Sequence, residues 1–489
     1  MNEVPPQSYL GYYPDSELVL GIVCPLGTNY RAVIETLINY LGQFGYKTNT
    51  IRLSDEFPDL LTQLGLPAPD SGHGAAAEMR NKILAGNEIR KHTQNDVLAL
   101  VAAGRIASLR AEIEGGDPKP RPLEAHVIAT LKHPKEVEAL RRVYGSGFFL
   151  IGIASSENDR QVYFQERGID SRDAADLIEI DAKEEFAYGQ QTRDTFHLSD
   201  VFISLKEYRD QVSRFLDLLF GSPFQTPTAE ENAMFQAYAA SLRSGDLSRQ
   251  VGAALISPEG DLLATGCNEV PKFGGGQYGP ENGNQRDMVL GCDSNELEKM
   301  EMAEKIVSAL SPDTSEADRP AVARKALKPS GFFDITEFGR TVHAEMEAIL
   351  ACGRTGRTAR GATLYTTTFP CHNCTRHAIG AGIRKVVYIE PYAKSKAFRL
   401  HGDAITAEES SVDHVPFVPF IGVGPRRYFD LFSLSLGTGY TVERKKDGRI
   451  VKWSRQEATL RLQIQPTSYL RREVFAFAAL KELLSRRGV

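Results

Sequence analysis

A chain of 489 residues, 42% hydrophobic and 25% charged, has the composition of a folded globular protein and excludes a disordered or fibrous one. At roughly 100–200 residues per domain it divides into two or three domains. Its formal net charge of -6 excludes a general drive toward nucleic acid or anionic membrane, so a polyanion would need a local basic patch.

The most apolar run, residues 148–154, is far shorter than the roughly 20 residues that a membrane-crossing helix needs. Residues 1–14 are polar, with no basic region leading into an apolar core, so no membrane partner and a cytoplasmic location are expected. The six cysteines are scattered apart from Cys371 and Cys374 and do not read as a disulfide framework. In a reducing compartment such a pair signals metal or redox chemistry.

In chain order, residues 17–23 (ELVLGIV) predict a buried strand, followed by a turn at Pro25 and Gly27, a helix over 30–44 and a strand over 47–53. A long helical stretch covers 75–114, and 115–121 (GGDPKPR) read as a loop. A strand over 125–131, a helix over 134–144, a strand over 148–154 and a closing helix over 206–220 complete a first domain at 1–220. Strands alternating with helices predict an α/β class with a largely parallel sheet.

The stretch Gly21 to Thr28, with Gly27, lies where backbone N–H groups and a helix N-terminus can cradle phosphate. It departs from G-x-x-x-x-G-K-[ST]: five residues separate the glycines, and Thr28-Asn29 stands in place of the lysine and hydroxyl residue. Without that lysine, an active kinase is not expected. A nucleotide-sensing site at Gly21, Gly27 and Thr28 and a purely structural strand–turn–helix both stand open. Arg80, Arg90 and Lys91 either face phosphates or form a solvated charged face.

Residues 221–228 (GSPFQTPT) read as a linker, and the second domain spans 229–489. A helix over 230–243 precedes two strands, 251–257 and 261–267, joined by Pro258-Glu259-Gly260. A polar insertion over 272–339 follows, readable as a lid or an oligomer contact. In it Cys292 is either a further metal ligand or a free thiol. Then come a helix over 343–351, a strand over 361–367, a helix over 373–380 and a strand over 385–389.

Chemistry concentrates there. His343-Ala344-Glu345 and Pro370-Cys371-His372-Asn373-Cys374 match H-x-E with P-C-x-x-C, a zinc-deaminase signature. One imidazole and two thiolates supply the three protein ligands of a catalytic zinc, which leaves a position for water and lowers its pKa to roughly 7. Glu345, at a helix start two residues after His343, can reach the space over the metal and move protons. Cys371 and Cys374 begin the next helix, whose N–H groups favour thiolates. Alone, the Cys-x-x-Cys would equally read as a redox pair or as half of a structural site completed by His372, His377 or Cys352. The His-x-Glu upstream, the strand between and the proline favour catalysis.

With residues 248–253 (SRQVGA), 265–271 (TGCNEVP) and 364–374 (LYTTTFPCHNC), the chain from about 230 to 432 resembles the deoxycytidylate deaminase branch of the cytidine-deaminase superfamily. His as first ligand, where the free-nucleoside cytidine deaminases have Cys, implies a phosphorylated or polymeric substrate. The resemblance places Asn268 at the deoxyribose and Arg249 and Thr366 at the substrate. An amide suits a sugar hydroxyl because it both donates and accepts. Asn268 could equally hold the turn before Pro271, and Arg249 could face phosphate or form a surface ion pair.

The whole chain, with 390–395 (EPYAKS) and 422–428 (GVGPRRY), is similar to phage-defence deoxycytidine-nucleotide deaminases. That resemblance implies a P-loop-kinase-like N-terminal domain ahead of a cytidine-deaminase-like α/β/α domain, with Zn2+ as cofactor. It also implies conversion of dCTP and dCMP to dUTP and dUMP, starving phage replication in antiviral defence. A regulatory nucleotide at the N-terminal domain, an inhibitory small RNA and a homo-oligomer are the implied partners beside the deoxycytidine nucleotides. The alternatives are a housekeeping dCMP deaminase, a regulatory protein with a disabled catalytic half, and a polynucleotide cytosine or adenine deaminase. The last would need a basic groove with exposed aromatics. The acidic balance argues against it; Arg426-Arg427, Arg471-Arg472 and Arg486-Arg487 argue for it.

Overall fold

The computed structural model describes residues 15–114, 119–182, 188–281, 283–392, 394–435, 441–462 and 466–485. The N-terminal stretch 1–14, most of the loop predicted at 115–121 and Arg486-Arg487 lie outside the described residues. In chain order the strands of the two six-stranded sheets are β1 (Leu18–Val23), β2 (Lys47–Arg52), β3 (Glu124–Ala129), β4 (Phe148–Ala154), β5 (Val201–Ser204), β6 (Gly252–Ile256), β7 (Leu262–Cys267), β8 (Thr363–Thr368), β9 (Lys385–Glu390), β10 (Ile405–Thr406), β11 (Val415–Pro419) and β12 (Gly422–Val423). Among the described residues no helix is long and apolar enough to cross a membrane.

The chain forms two compact units, Met1–Thr228 with Ile421–Val489, and Ala229–Phe420. In the first, β1 (LVLGIV) is buried along its whole length, as a strand covered on both faces must be. It lies at the centre of the order β12-β5-β4-β1-β3-β2, in which all neighbours are parallel except the antiparallel β12. The single helix predicted over 75–114 is two, Ala75–His92 and Val97–Glu114. At the break the Thr93 hydroxyl donates to the Ile89 carbonyl at 2.5 Å, and Asp96 opens the next helix with its carbonyl. Short polar side chains compete with the helical ladder in this way.

The expected continuous second domain, 229–489, is corrected by the C-terminal segment, which folds into the first unit. Gly422 and Val423 pair with Phe202 and Val201. Arg427 is buried, donating to Asp200 Oδ1 at 3.1 Å and to the Phe148 carbonyl at 2.6 Å, with its guanidinium 4.4 Å from the Phe149 ring centroid. Leu431 and Leu460 join the apolar core built by Leu20, Phe215 and Leu219. Burying these groups outweighs continuity along the chain.

In the second unit the order is β10-β11-β9-β8-β6-β7, antiparallel across β7, β6 and β8 and parallel from β8 to β10. Its core includes Leu255, Ala344, Ala348, Leu364, Val386 and Phe417. The insertion carries the helices Asp287–Leu290, Ser294–Leu310 and Arg319–Leu327, with a small core of Ala303, Val307 and Ala323.

Candidate metal centre and active site

His343 and Cys371 occupy equivalent places. Each is the N-cap of a helix, Ala344–Arg354 and His372–Gly380, and each has extended backbone, φ -66°, ψ 154° and φ -66°, ψ 165°. The first helix lies against β7, where Gly266 permits the approach. A Cβ there would overlap the Ala344 carbonyl oxygen and the Ala348 amide. Gly266→Ala is therefore expected to push the helix outward, lowering both the melting temperature and the zinc content of the purified protein. Wild-type values of both would refute the close-approach argument.

His343 Nδ1 lies 3.4 Å from Cys371 Sγ and 3.3 Å from Cys374 Sγ, and the three ligand atoms all lie within 4.8 Å of one another. A tetrahedral zinc with Zn–S near 2.3 Å and Zn–N near 2.1 Å has N···S edges of about 3.6 Å, so the donor set fits that ion. Among the described residues no fourth donor joins this group. Cys352 is turned into the apolar core, and His377 Nδ1 is 2.6 Å from the Asn373 carbonyl oxygen. Three ligands and an open position are the arrangement of a catalytic zinc rather than a structural one.

The cluster favours charge separation by itself. Hydrogen bonds from the Cys374 thiol and from His343 bring the Cys371 thiol down to about 4. The same bond to Cys371 lifts His343 to about 9, and Cys374 is pushed well up. Glu345 is buried, and burial together with the Cys371 charge raises its carboxyl to about 7, where it can both take and give a proton near neutrality.

His343, Glu345 and Cys371 line a cleft of about 320 Å³, with Asn268, Arg249, Thr368, Phe369 and Tyr392 also in its walls. Asn268 ties down the neighbouring strap: its Nδ2 donates to the Arg249 carbonyl and its Oδ1 accepts from the Val251 amide, both at 2.8 Å. It therefore holds backbone and faces the cleft together. Arg249 forms an ion pair with Glu390 Oε1 at 2.9 Å and also lines the cleft. Thr366 does not reach the cleft; it is fully buried, its hydroxyl donating to the Thr368 carbonyl at 3.0 Å, and Thr368 lines the wall instead.

Sequence reasoning missed Asp246, whose Oδ1 accepts from the Ser248 and Arg249 amides. An Asp two residues ahead of a Ser is a readable Asx-turn signal. It also missed that the insertion supplies Asp287, Asp293 and Asn295 to the cleft wall.

In the first unit, the expected phosphate loop is not assembled as one. Gly21 lies inside β1, and a Cβ on it would be 2.8 Å from the Leu131 and Phe148 side chains. Gly27 takes φ +88°, Thr28 Oγ1 is 2.7 Å from Ser155 Oγ, and the Leu26 amide donates to Asp181 Oδ2 at 2.7 Å. Arg80 lies 4.0 Å from Asp176, Arg90 is paired in the interior with Glu136 at 2.7 Å, and Lys91 is paired with Glu88 at 3.1 Å.

Residues 227–390 match a family described as the cytidine and deoxycytidylate deaminase zinc-binding region. ComE operon protein 2 of Bacillus subtilis (strain 168) is 41% identical over 81 residues, 16% of this chain and 41% of that protein. Deoxycytidylate deaminase of Enterobacteria phage T2 is 46% identical over 55 residues, 11% of this chain and 29% of that protein. Deoxycytidylate deaminase of Mus musculus is 23% identical over 159 residues, 32% of this chain and 63% of that protein. The matches thus span less than two thirds of each relative. Residues 227–390, with His343, Glu345, Cys371 and Cys374 inside them, thus resemble the zinc-binding region of cytidine and deoxycytidylate deaminases.

Proposed function

We propose that the protein is a zinc-dependent hydrolytic deaminase that converts dCMP and dCTP to dUMP and dUTP. The observation that carries this reading is the buried Glu345 carboxyl, which shares a cleft with His343 and Cys371 of the three-ligand group His343, Cys371 and Cys374. Zinc held there supplies Lewis acidity that makes water nucleophilic near neutral pH. Glu345 takes a proton from the water whose oxygen bonds to C4 of the cytosine. It delivers that proton to N3, then carries the second proton, from the hydroxyl now on C4, to the exocyclic amine, so that the C4–N4 bond breaks and ammonia leaves a uracil. Asn268, already fixed by two backbone bonds, offers its remaining N–H and lone pair to the sugar.

A short phosphate chain suits the cleft better than a polynucleotide. Its Lys and Arg side chains are Arg249 and Lys394, each held by a carboxylate, Glu390 at 2.9 Å and Asp334 at 2.6 Å. Asp246, Asp287 and Asp293 share the walls, whereas polyanion binding needs a continuous basic surface. The deoxycytidylate substrate also agrees with the names of the relatives. The whole-chain resemblance adds depletion of deoxycytidine nucleotides in antiviral defence, in the cytoplasm, by an oligomer under restraint of a small RNA.

The test is direct. Purified protein is incubated with dCMP, dCTP, CTP, cytidine and a cytosine-containing oligonucleotide, and ammonia and uracil products are followed. Turnover of dCMP or dCTP is expected, abolished by dialysis against a chelator and restored by zinc. Turnover of the oligonucleotide alone would overturn the reading in favour of a polynucleotide enzyme.

A further inference from the structure

The insertion reaches the cleft through a segment that its own helix holds in place. Lys299, buried on the helix Ser294–Leu310, donates to the Phe333 carbonyl at 2.8 Å. From the first turn of that helix, Asn295 Nδ2 donates to the Ile335 carbonyl at 3.0 Å, and its Oδ1 accepts from the Phe338 amide at 3.3 Å. Phe332 and Phe333 pack on the small core of Ala303, Val307 and Ala323. Asp334 therefore stands between two carbonyls that are tied down, and its carboxylate is presented from a fixed backbone. Further along, Thr336 and Gly339 line the cleft, and Glu337 Oε1 accepts from Asn373 Nδ2 at 3.1 Å.

Asp334 does not line the cleft, but the cation that it holds does. Lys394 Nζ lies 2.6 Å from Asp334 Oδ1, and both side chains are about half exposed. The lysine belongs to the connection after β9, where its neighbour Ser395 donates to the Pro370 carbonyl at 2.8 Å, one residue before Cys371. Arg249 is held instead by Glu390, the last residue of β9 in the core sheet. Of these two pairs, Lys394 with Asp334 is the one closed by the insertion.

An exposed pair adds little to stability, so its consequence lies in binding. The lysine ammonium is a compact single charge on a flexible stem. A phosphate in the cleft needs that charge as its counter-ion. The Asp334 carboxylate, fixed beside the ammonium, already takes it up and repels the phosphate oxygens. A nucleoside brings no phosphate and meets no such contest. We propose that Asp334 is a specificity-determining residue: it competes with the phosphate of the substrate for Lys394, so that the insertion sets how strongly a deoxycytidine nucleotide is favoured over the free nucleoside. This rests on the deaminase reading of the cleft.

The test compares the full-length wild type with D334N, K394M and D334N/K394M. Zinc content and melting temperature check that each folds, as the exposure of both side chains predicts. Turnover of dCMP is measured, with deoxycytidine followed both as a substrate and as a competitive inhibitor. D334N is expected to lower KM for dCMP about two- to fivefold, the range open to an exposed pair, with kcat unchanged. The gain should shrink as salt is added, and the constants for deoxycytidine should stay as in the wild type. K394M should raise KM for dCMP, and in that background D334N should lose most of its gain. An unchanged or raised KM for dCMP in D334N overturns the competition. So does an equal gain with deoxycytidine, or a gain kept in full without Lys394. A wild type inactive on both dCMP and dCTP removes the deaminase reading and this inference with it, whereas an active wild type with an unaltered D334N removes this inference alone.

Discussion

Glu345→Gln is expected to lower deamination of dCMP or dCTP by about 10²–10⁴-fold while zinc remains bound, the range in which a positioned general acid–base group contributes. The substitution keeps the shape and one acceptor but removes the group that carries the proton. The ligand atoms are those of His343, Cys371 and Cys374, so the metal should survive. The buried setting of Glu345 makes replacement by bulk water an ineffective rescue. The wild-type rate should also fall as the pH drops through the Glu345 titration, because the protonated carboxyl cannot accept from water. The variant should lack that limb. Metal analysis and pH profiles of kcat/KM on both proteins check this. A variant within threefold of wild type, with zinc bound, would remove Glu345 from the chemistry.

The metal group was readable in the sequence because every part of it is local. H-x-E and P-C-x-x-C each mark a helix N-terminus, and the N-cap geometry of His343 and Cys371 follows from a few residues on either side. What failed depended on contacts between distant residues. Thr366 and Thr368 share one face of β8, and strand alternation gives that face but not how deep each side chain lies. Nothing around Gly27 reveals that Asp181, far along the chain, closes over the turn. The motif at 422–428 read as part of the deaminase region, yet Arg427 is held in the first unit by Asp200. A two-residue strand such as β12 leaves no periodic signal at all.

That C-terminal return creates the second large effect. Arg110 is fully buried, paired with Glu17 Oε1 at 2.8 Å and, through both terminal nitrogens, with Glu473 on the helix Pro466–Ser485. The Tyr144 hydroxyl donates to Glu473 Oε1 at 2.7 Å, and Tyr469 donates to Glu17. Burial pushes both carboxyls up. For Glu17 the bonds from His126 and Arg110 and the Arg110 charge outweigh it and hold the group below its ordinary value, whereas Glu473 stays raised. Glu473→Ala would leave a buried guanidinium with half its partners and the Tyr144 hydroxyl with none of its own in this cluster. Breaking such a pair costs about 3–5 kcal/mol, while replacing the whole pair by apolar groups of similar volume is often neutral. The single variant is therefore expected to lose about that much stability, and R110M/E473L to recover most of it. The chain's single tryptophan, Trp453, packs against the first unit's core, so its fluorescence during urea unfolding follows that unit. A loss below about 1 kcal/mol for Glu473→Ala, the level of an exposed pair, would mean that water reaches Arg110 and that the C-terminal helix is not sealed over it.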